Sequence, residues 1–323
     1  MPATYVEAIR QGIWEEMERD PDVFVIGEDI GVYGGAFRVT QGMLERFGER
    51  RVVDMPLCES GIVGAAIGAG LMGLRPVAEM QFSDFMTCAF DQIVNFAAKC
   101  RYRWGAAVPI VVRGPSGGGI HGGPFHSQNP EAWFVRVPGL KVVTPATARD
   151  AKGLIKSAIR DNDPVIFLEH KGLYRRIKEE LPEGDYTVPL GKARIHREGT
   201  DLTIVTYGSM VWVAEEAANR LAEEGLSIEI IDLRTLLPLD EQAVLDSVKK
   251  TARVIVLHED TLTGGVGGEL SARITEKAFD YLDGPVLRIA APDTPVPFSP
   301  PLEEAFLPNA DKVVEKARWL AAY

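Results

Sequence analysis

The feature that most constrains this chain is a repeated change of apolar period. Amphipathic helical stretches alternate with short, strongly apolar runs through nearly the whole sequence. Runs of that kind suit strands buried on both faces, so the pattern predicts α/β layers around mostly parallel sheets. In the first half, residues 5–19 read as a helix, 23–27 as a strand, and the segment after Glu59 as an apolar helix. Residues 76–82 read as a strand leading into a long helix that ends near Arg103. A strand at 108–113 opens the glycine-rich stretch GPSGGGIHGGPFHSQNPEAWF. Strands at 141–144 and 165–170 then flank a helix at 146–160. Residues 171–200 are charged, broken by Pro and Gly, and read as a surface linker. The alternation restarts at 202 and runs to a C-terminal helix at 310–322. This gives two domains, 1–180 and 201–323, joined by a linker at 181–200, with no repeat between the halves.

Charge and cysteine content narrow the function. A net charge of -11 on 323 residues speaks against nucleic acid as the main partner, since phosphate neutralisation needs clustered Lys and Arg. Cys58, Cys88 and Cys100 are odd in number and form no CxxC, which argues against a disulfide framework or zinc site and fits a reducing cytoplasm. The start, MPATYVEAIRQGIWEEMERD, lacks the basic and apolar regions of a signal peptide. The most apolar stretch, 61–74, is too short and glycine-rich to span a bilayer. A soluble, cytoplasmic chain is expected.

No GxxxxGK[ST] or HExxH is present, and GGGIHGG lacks the acidic partner and following helix of a dinucleotide fingerprint. The segment DMPLCESGIVGAAIGAGLMG carries more information. Glu59 directly precedes a helix whose Gly61, Gly64, Ala65 and Gly68 leave a flat face for close approach by another helix. The plainer role for Glu59 is to complement the helix N-terminus. The alternative is a partly buried interface carboxylate with a raised pKa, able to share a proton with a heterocycle nitrogen. Phe82 and Phe85 fall where α/β folds bind ligands, and either stack on a planar ring or simply pack in the core. His126 lies in a polar, glycine-flanked loop beside Ser127 and Gln128, a setting suited to acid–base work. A metal pair with His121 lacks a third ligand.

At these residues the sequence resembles a known family. LCESGIVGAAIG, VAEMQFSDFMTCAFDQI, HSQNPEAWF, GLKVVTPATARDAKGLIKSAIRDNDPVIFLEH and IDLRTLLPLD resemble the beta subunits of pyruvate and branched-chain 2-oxo acid dehydrogenase E1 components. The resemblance implies a transketolase-like pyrimidine-binding domain followed by a transketolase C-terminal domain. It implies thiamine diphosphate as cofactor, an E1 alpha subunit as partner in an α2β2 heterotetramer, and a lipoyl acyltransferase, E2, as acyl acceptor. The alpha chain of such enzymes holds Mg2+ and the diphosphate through a GDG motif followed by an asparagine, and no GDG occurs here. By position, Glu59 is expected to contact N1′ of the aminopyrimidine, with Glu28, Leu57, Cys58, Gln81 and Phe85 lining the cofactor pocket. Phe82, Ser83 and His126 are expected to face the substrate, with His126 also facing the incoming lipoyl group. Gly123, Pro124 and Phe125 adjoin that pocket. A potassium site is implied at Ile110, Ala158, Ile159, Asp161 and Asp163, where some relatives have Asn at the position of Asp163.

The implied reaction is decarboxylation of a 2-oxo acid, pyruvate or branched-chain, followed by reductive acylation of a lipoyl group. HSQNPEAWF and LTGG lean slightly toward the branched-chain members. An acetoin dehydrogenase beta chain shares most of these residues and remains an alternative. A non-catalytic scaffold is a further one, although a scaffold needs neither Glu59 nor His126.

Overall fold

The computed structural model describes residues 2–323. The chain forms two compact units, residues 1–116 with 133–190, and residues 117–132 with 191–323.

The first unit opens with α1 (Tyr5–Arg19). Its N-terminus is fixed by a capping box: Thr4 Oγ1 accepts from the Glu7 amide at 3.3 Å, and the Glu7 carboxylate accepts from the Thr4 amide at 2.8 Å. Strands β1 (Val23–Gly27) and β2 (Val52–Asp54) precede helix α2 (Glu59–Leu71) and strand β3 (Arg75–Glu79). They are followed by β4 (Val111–Ser116), β5 (Lys141–Val143), α3 (Ala148–Arg160) and β6 (Val165–His170). Within this unit the strands lie in the order β5-β6-β4-β3-β1-β2, and every neighbouring pair is parallel. α1 packs closely on α3, and a Cβ on Gly12 would stand 3.1 Å from the Lys152 carbonyl. The contact is reinforced by Glu15, whose two carboxylate oxygens each lie 2.6 Å from an ammonium, of Lys152 and of Lys156.

The long helix expected after Phe82 is present and ends at Trp104, but its winding changes along its length. Residues Ser83–Ala89 form a 3-10 turn, Gln92–Ala97 a π-helical turn and Ala98–Trp104 an α-helix. The Thr87 hydroxyl donates to the Asp84 carbonyl at 2.8 Å, competing for an acceptor that regular α-winding would use. The strand expected at 108–113 begins and ends three residues later, so Arg113 sits inside it.

The second unit contains β7 (Arg194–Arg197), β8 (Leu202–Thr206), α4 (Met210–Ala222), β9 (Ile228–Asp232) and α5 (Glu241–Thr251). It continues with β10 (Val254–Thr261), α6 (Val266–Ala278), β11 (Leu287–Ala291), the short α7 (Pro300–Phe306) and α8 (Ala310–Ala321). The sheet order is β11-β10-β8-β9-β7, parallel except for β7, which pairs antiparallel to β9. Ile204, Ile230, Leu257, Leu221 and Val313 meet in its core. The stretch 171–200 is more ordered than a linker. Lys178–Glu179 pairs with Ala3–Thr4, and β7 closes the sheet edge of the second unit.

Candidate active site

In the first unit the chain leaves β1 toward β2 on one side, then crosses to β3 on the other. Strand order therefore reverses at β1, and the crevice at the carboxyl ends of β1 and β3 is where open α/β sheets bind ligands. Glu28 directly follows β1, and Gln81 and Phe82 follow β3. Glu28 is only 6% exposed, and its Oε1 has no hydrogen-bond partner among the described residues. Burial raises its pKa, the charge of Glu59 adds to the rise, and a Cys58 backbone hydrogen bond opposes it. Two carboxylates thus lie close enough to repel, one of them with an oxygen unsatisfied.

Glu59 opens α2 and is partly buried. The helix N-cap, Cys58, makes no side-chain capping bond. Leu57, at 79% exposure, and Cys58 present themselves outward. A Cβ added at Gly64 or Gly68 would meet nothing within 4 Å, so the small-residue face of α2 is open. Gln81 Nε2 donates to Asp29 Oδ2 at 3.2 Å, and Asp29 adopts a left-handed φ of 55°. Phe85 meets Phe82 edge-on with centroids 6.1 Å apart, and Phe82 meets Phe37 edge-on at 5.6 Å. Ser83 is buried, and its hydroxyl has no partner among the described residues.

Beneath this crevice lies a cluster that sequence reading missed. Arg113 is 1% exposed and donates through Nε and Nη2 to the two oxygens of Glu169, both at 2.5 Å. Its Nη1 donates to Glu79, and the Tyr174 hydroxyl donates to Glu169 Oε2 at 2.6 Å. Burial pushes Glu79 up to about 7 against the opposing charge of Arg113. Gly35 rests on this carboxylate: a Cβ there would stand 2.5 Å from Glu79 Oε1. The available signal was a charge inside each of three apolar strands, VVRG, VAEM and FLEH.

His126 belongs to the second unit, on the glycine-rich segment 117–132. It is half-buried and follows a 3-10 turn, Gly123–Phe125. Buried carboxylates hold this segment. Glu259 Oε1 accepts from the Gly118 amide at 2.6 Å and from Asn129 Nδ2 at 3.2 Å. Glu303 Oε1 accepts from the Gly119 amide at 2.9 Å, and its Oε2 accepts from the His121 amide at 3.0 Å. Glu131 Oε1 accepts from the Tyr207 hydroxyl at 2.8 Å, and burial, followed by the charge of Asp260, pushes Glu131 up to about 8. Phe125 is exposed, and Gly123 lies against the Phe298 ring.

Residues 1–177 match the transketolase pyrimidine binding domain, and residues 191–313 match the transketolase C-terminal domain. The chain is 50% identical to the 2-oxoisovalerate dehydrogenase subunit beta of Bacillus subtilis, over 99% of both chains. It is 48% identical to the pyruvate dehydrogenase E1 component subunit beta of the same organism, over 98% of this chain and 97% of that one. The chain belongs to the beta subunits of 2-oxo acid dehydrogenase E1 components. A solved structure described as a split gene transketolase, inactive beta4 tetramer, has the same fold, with a TM-score of 0.81 at 23% identity, covering 100% of this chain and 99% of that chain.

In this E1 beta chain the positions expected for potassium are already engaged internally. The carbonyls of Ile159 and Asp161 both accept from Arg75 Nη1, at 3.0 and 2.9 Å. The Ile110 carbonyl accepts from Val165 N at 3.0 Å, and the Ala158 carbonyl from Asp161 N at 3.3 Å. Lys141 Nζ lies 2.6 Å from both oxygens of Asp161, and Asp163 pairs with Arg101 and Lys141. No helix among the described residues is long and apolar enough to cross a membrane.

Proposed function

We propose that this chain supplies one side of a thiamine-diphosphate site and, with an alpha subunit in an α2β2 assembly, converts a 2-oxo acid to CO2 and an acyl group on the lipoyl arm of an E2 protein. The observation that carries this reading is the Glu28–Glu59 pair at the switch of strand order, with Glu28 Oε1 buried and unsatisfied. A ring nitrogen that shares a proton suits such a pair, because it relieves the repulsion and fills the empty acceptor. When bound, thiamine diphosphate supplies the carbon nucleophile and the electron sink for decarboxylation. Glu59 holds the proton at N1′ of the aminopyrimidine. Glu28, Leu57, Cys58, Gln81 and Phe85 line that ring's pocket. Phe82 and Ser83 face the acid, and His126 moves a proton as the lipoyl disulfide opens, one sulfur taking the acyl group and the other leaving as a thiol.

Mg2+ and the diphosphate are assigned to the alpha chain, because this sequence carries no GDG. The open face of α2 is assigned to a subunit contact. The test is turnover with thiamine diphosphate and Mg2+, with and without an alpha chain. Activity is expected only from the pair, and robust turnover by the isolated chain would overturn the half-site reading.

A potassium ion at the loop after α3 has a structural role in this reading. The Ile159 and Asp161 carbonyls already converge on one Arg75 nitrogen, and each retains a second lone pair for a hard cation. Replacing KCl by choline chloride at equal ionic strength should then lower the thermal midpoint. An unchanged midpoint would leave Arg75 as the only cation at those carbonyls.

A further inference from the structure

In the second unit, strand order reverses at β8, which pairs with β9 on one side and β10 on the other. The carboxyl ends of β8 and β10 therefore frame a second crevice of the kind that usually takes a ligand. Here residues of the chain itself reach it. Tyr207, just past β8, bonds Glu131, and Glu259, near the end of β10, bonds Gly118 and Asn129. One carboxylate thus ties both ends of the glycine-rich segment, and the Gly117 amide closes its neck by donating to the Gln128 carbonyl at 3.0 Å.

Glu303 stands apart from the other two anchors. It projects from α7, is 1% exposed, and its carboxylate binds Gly119 and His121. His121 contributes twice, since its Nδ1 also lies 2.7 Å from Glu303 Oε2. His121 is also a non-glycine residue held at a left-handed φ of 60°. Burying a carboxylate is costly unless charge-assisted hydrogen bonds compensate it. Here those bonds go to a strained turn five residues before His126, and the next turn ends with the His126 amide donating to the Gly123 carbonyl at 3.3 Å.

We propose that Glu303 is a positioning residue for His126: it fixes the 119–121 turn and so sets where the imidazole stands during acyl transfer to the lipoyl group. The proposal rests on the reading of His126 given above. It makes a residue nearly 180 positions away in sequence necessary for one half of the reaction and not the other.

The test uses the assembled enzyme with its alpha chain, carrying Glu303→Gln, Glu303→Ala, His126→Ala, or Glu303→Ala with His126→Ala. The readouts are lipoyl-domain acylation, decarboxylation linked to a soluble dye oxidant, and amide hydrogen exchange across 117–126. Glu303→Ala should speed amide exchange at Gly119 and His121 about tenfold or more. It should slow lipoyl acylation by about 10²-fold, the scale of a misplaced reacting group, with dye-linked decarboxylation little changed. Glu303→Gln keeps the size and one acceptor, so it should fall between parent and Ala. In the His126→Ala background, Glu303→Ala should add no further loss, because both changes remove the same contribution.

Full multiplication of the two losses would overturn the proposal, as would parent-like exchange and acylation in Glu303→Ala while His126→Ala is slow. If His126→Ala instead acylates at the parent rate, the reading of His126 itself fails. The exchange data then still report separately whether Glu303 orders the turn.

Discussion

Replacing Arg113 by Met is the sharpest perturbation of the scaffold under the crevice at the carboxyl ends of β1 and β3. Arg113 is 1% exposed and bridges Glu169 through two 2.5 Å bonds while also binding Glu79. Met approximates its stem but strands two buried carboxylates. Breaking a buried ion pair from one side costs about 3–5 kcal/mol. With about 2–4 °C lost per kcal/mol in a domain of this size, the thermal midpoint should fall by about 6–20 °C. Adding Glu79→Gln and Glu169→Gln to the Met variant removes the stranded charges, so most of the loss should return.

The pH dependence follows from Glu79, whose pKa burial has raised to about 7. Its folded pKa lies above its unfolded one, so the folded state holds an extra proton between about 4.5 and 7. That contribution to stability is complete below the unfolded pKa and is lost as pH rises through 7. The parent midpoint should therefore decline from pH 5 to 8. The Met variant, lacking the opposing guanidinium, should decline more steeply and over a wider range. Scanning calorimetry of parent, single and triple variants at pH 5 and 8 measures all of this. A Met variant that melts with the parent, or a triple variant no better than the single, would show that the Arg113 ion pairs do not carry this stability.

Other perturbations address the site directly. His126→Ala should slow lipoyl-domain acylation by about 10²–10⁴-fold with little change in cofactor affinity; parent-rate acylation would make the histidine structural. A Cβ added at Gly64 meets nothing within 4 Å on the open face of α2, so Gly64→Leu should leave the isolated chain melting normally. Sedimentation of the mixed subunits should nevertheless show weakened assembly, and unchanged association would place the contact elsewhere.

The sequence was most legible where local chemistry and tertiary packing agree. α1 begins and ends where its periodicity predicts, because the Thr4–Glu7 box specifies the start and Asp20 follows the last helical residue. The alternation of periods identified parallel sheets, since buried parallel strands leave continuous apolar runs. It gave the helix that ends at Trp104 but not its 3-10 and π-helical stretches, which carry no distinct apolar period. It failed at β7, whose RIHR sequence pairs at an edge with little apolar signal. The family resemblance named Glu28 and Gln81 as cofactor contacts, and the fold sets them just past the carboxyl ends of β1 and β3. The clasp on the 117–132 segment was not legible, because Glu259 and Glu303 lie far along the chain and resemble ordinary acidic residues until the fold brings them to the glycine amides.

The proposed function requires Glu59 to activate the cofactor from a carboxylate pair. Gln at that position keeps the size and a hydrogen bond but cannot exchange an acidic proton with N1′. The most direct measurement is hydrogen–deuterium exchange at C2 of bound thiamine diphosphate in the assembled Glu59→Gln enzyme, by rapid quench and NMR. The account predicts an intact assembly whose C2 exchange is slowed by about 10²–10⁴-fold, the usual scale for loss of a positioned acid–base group. A residue that merely complements the α2 terminus would instead lower stability by about 1 kcal/mol or less. Exchange at the parent rate in a correctly assembled variant would contradict the account and leave Glu59 with that structural role alone.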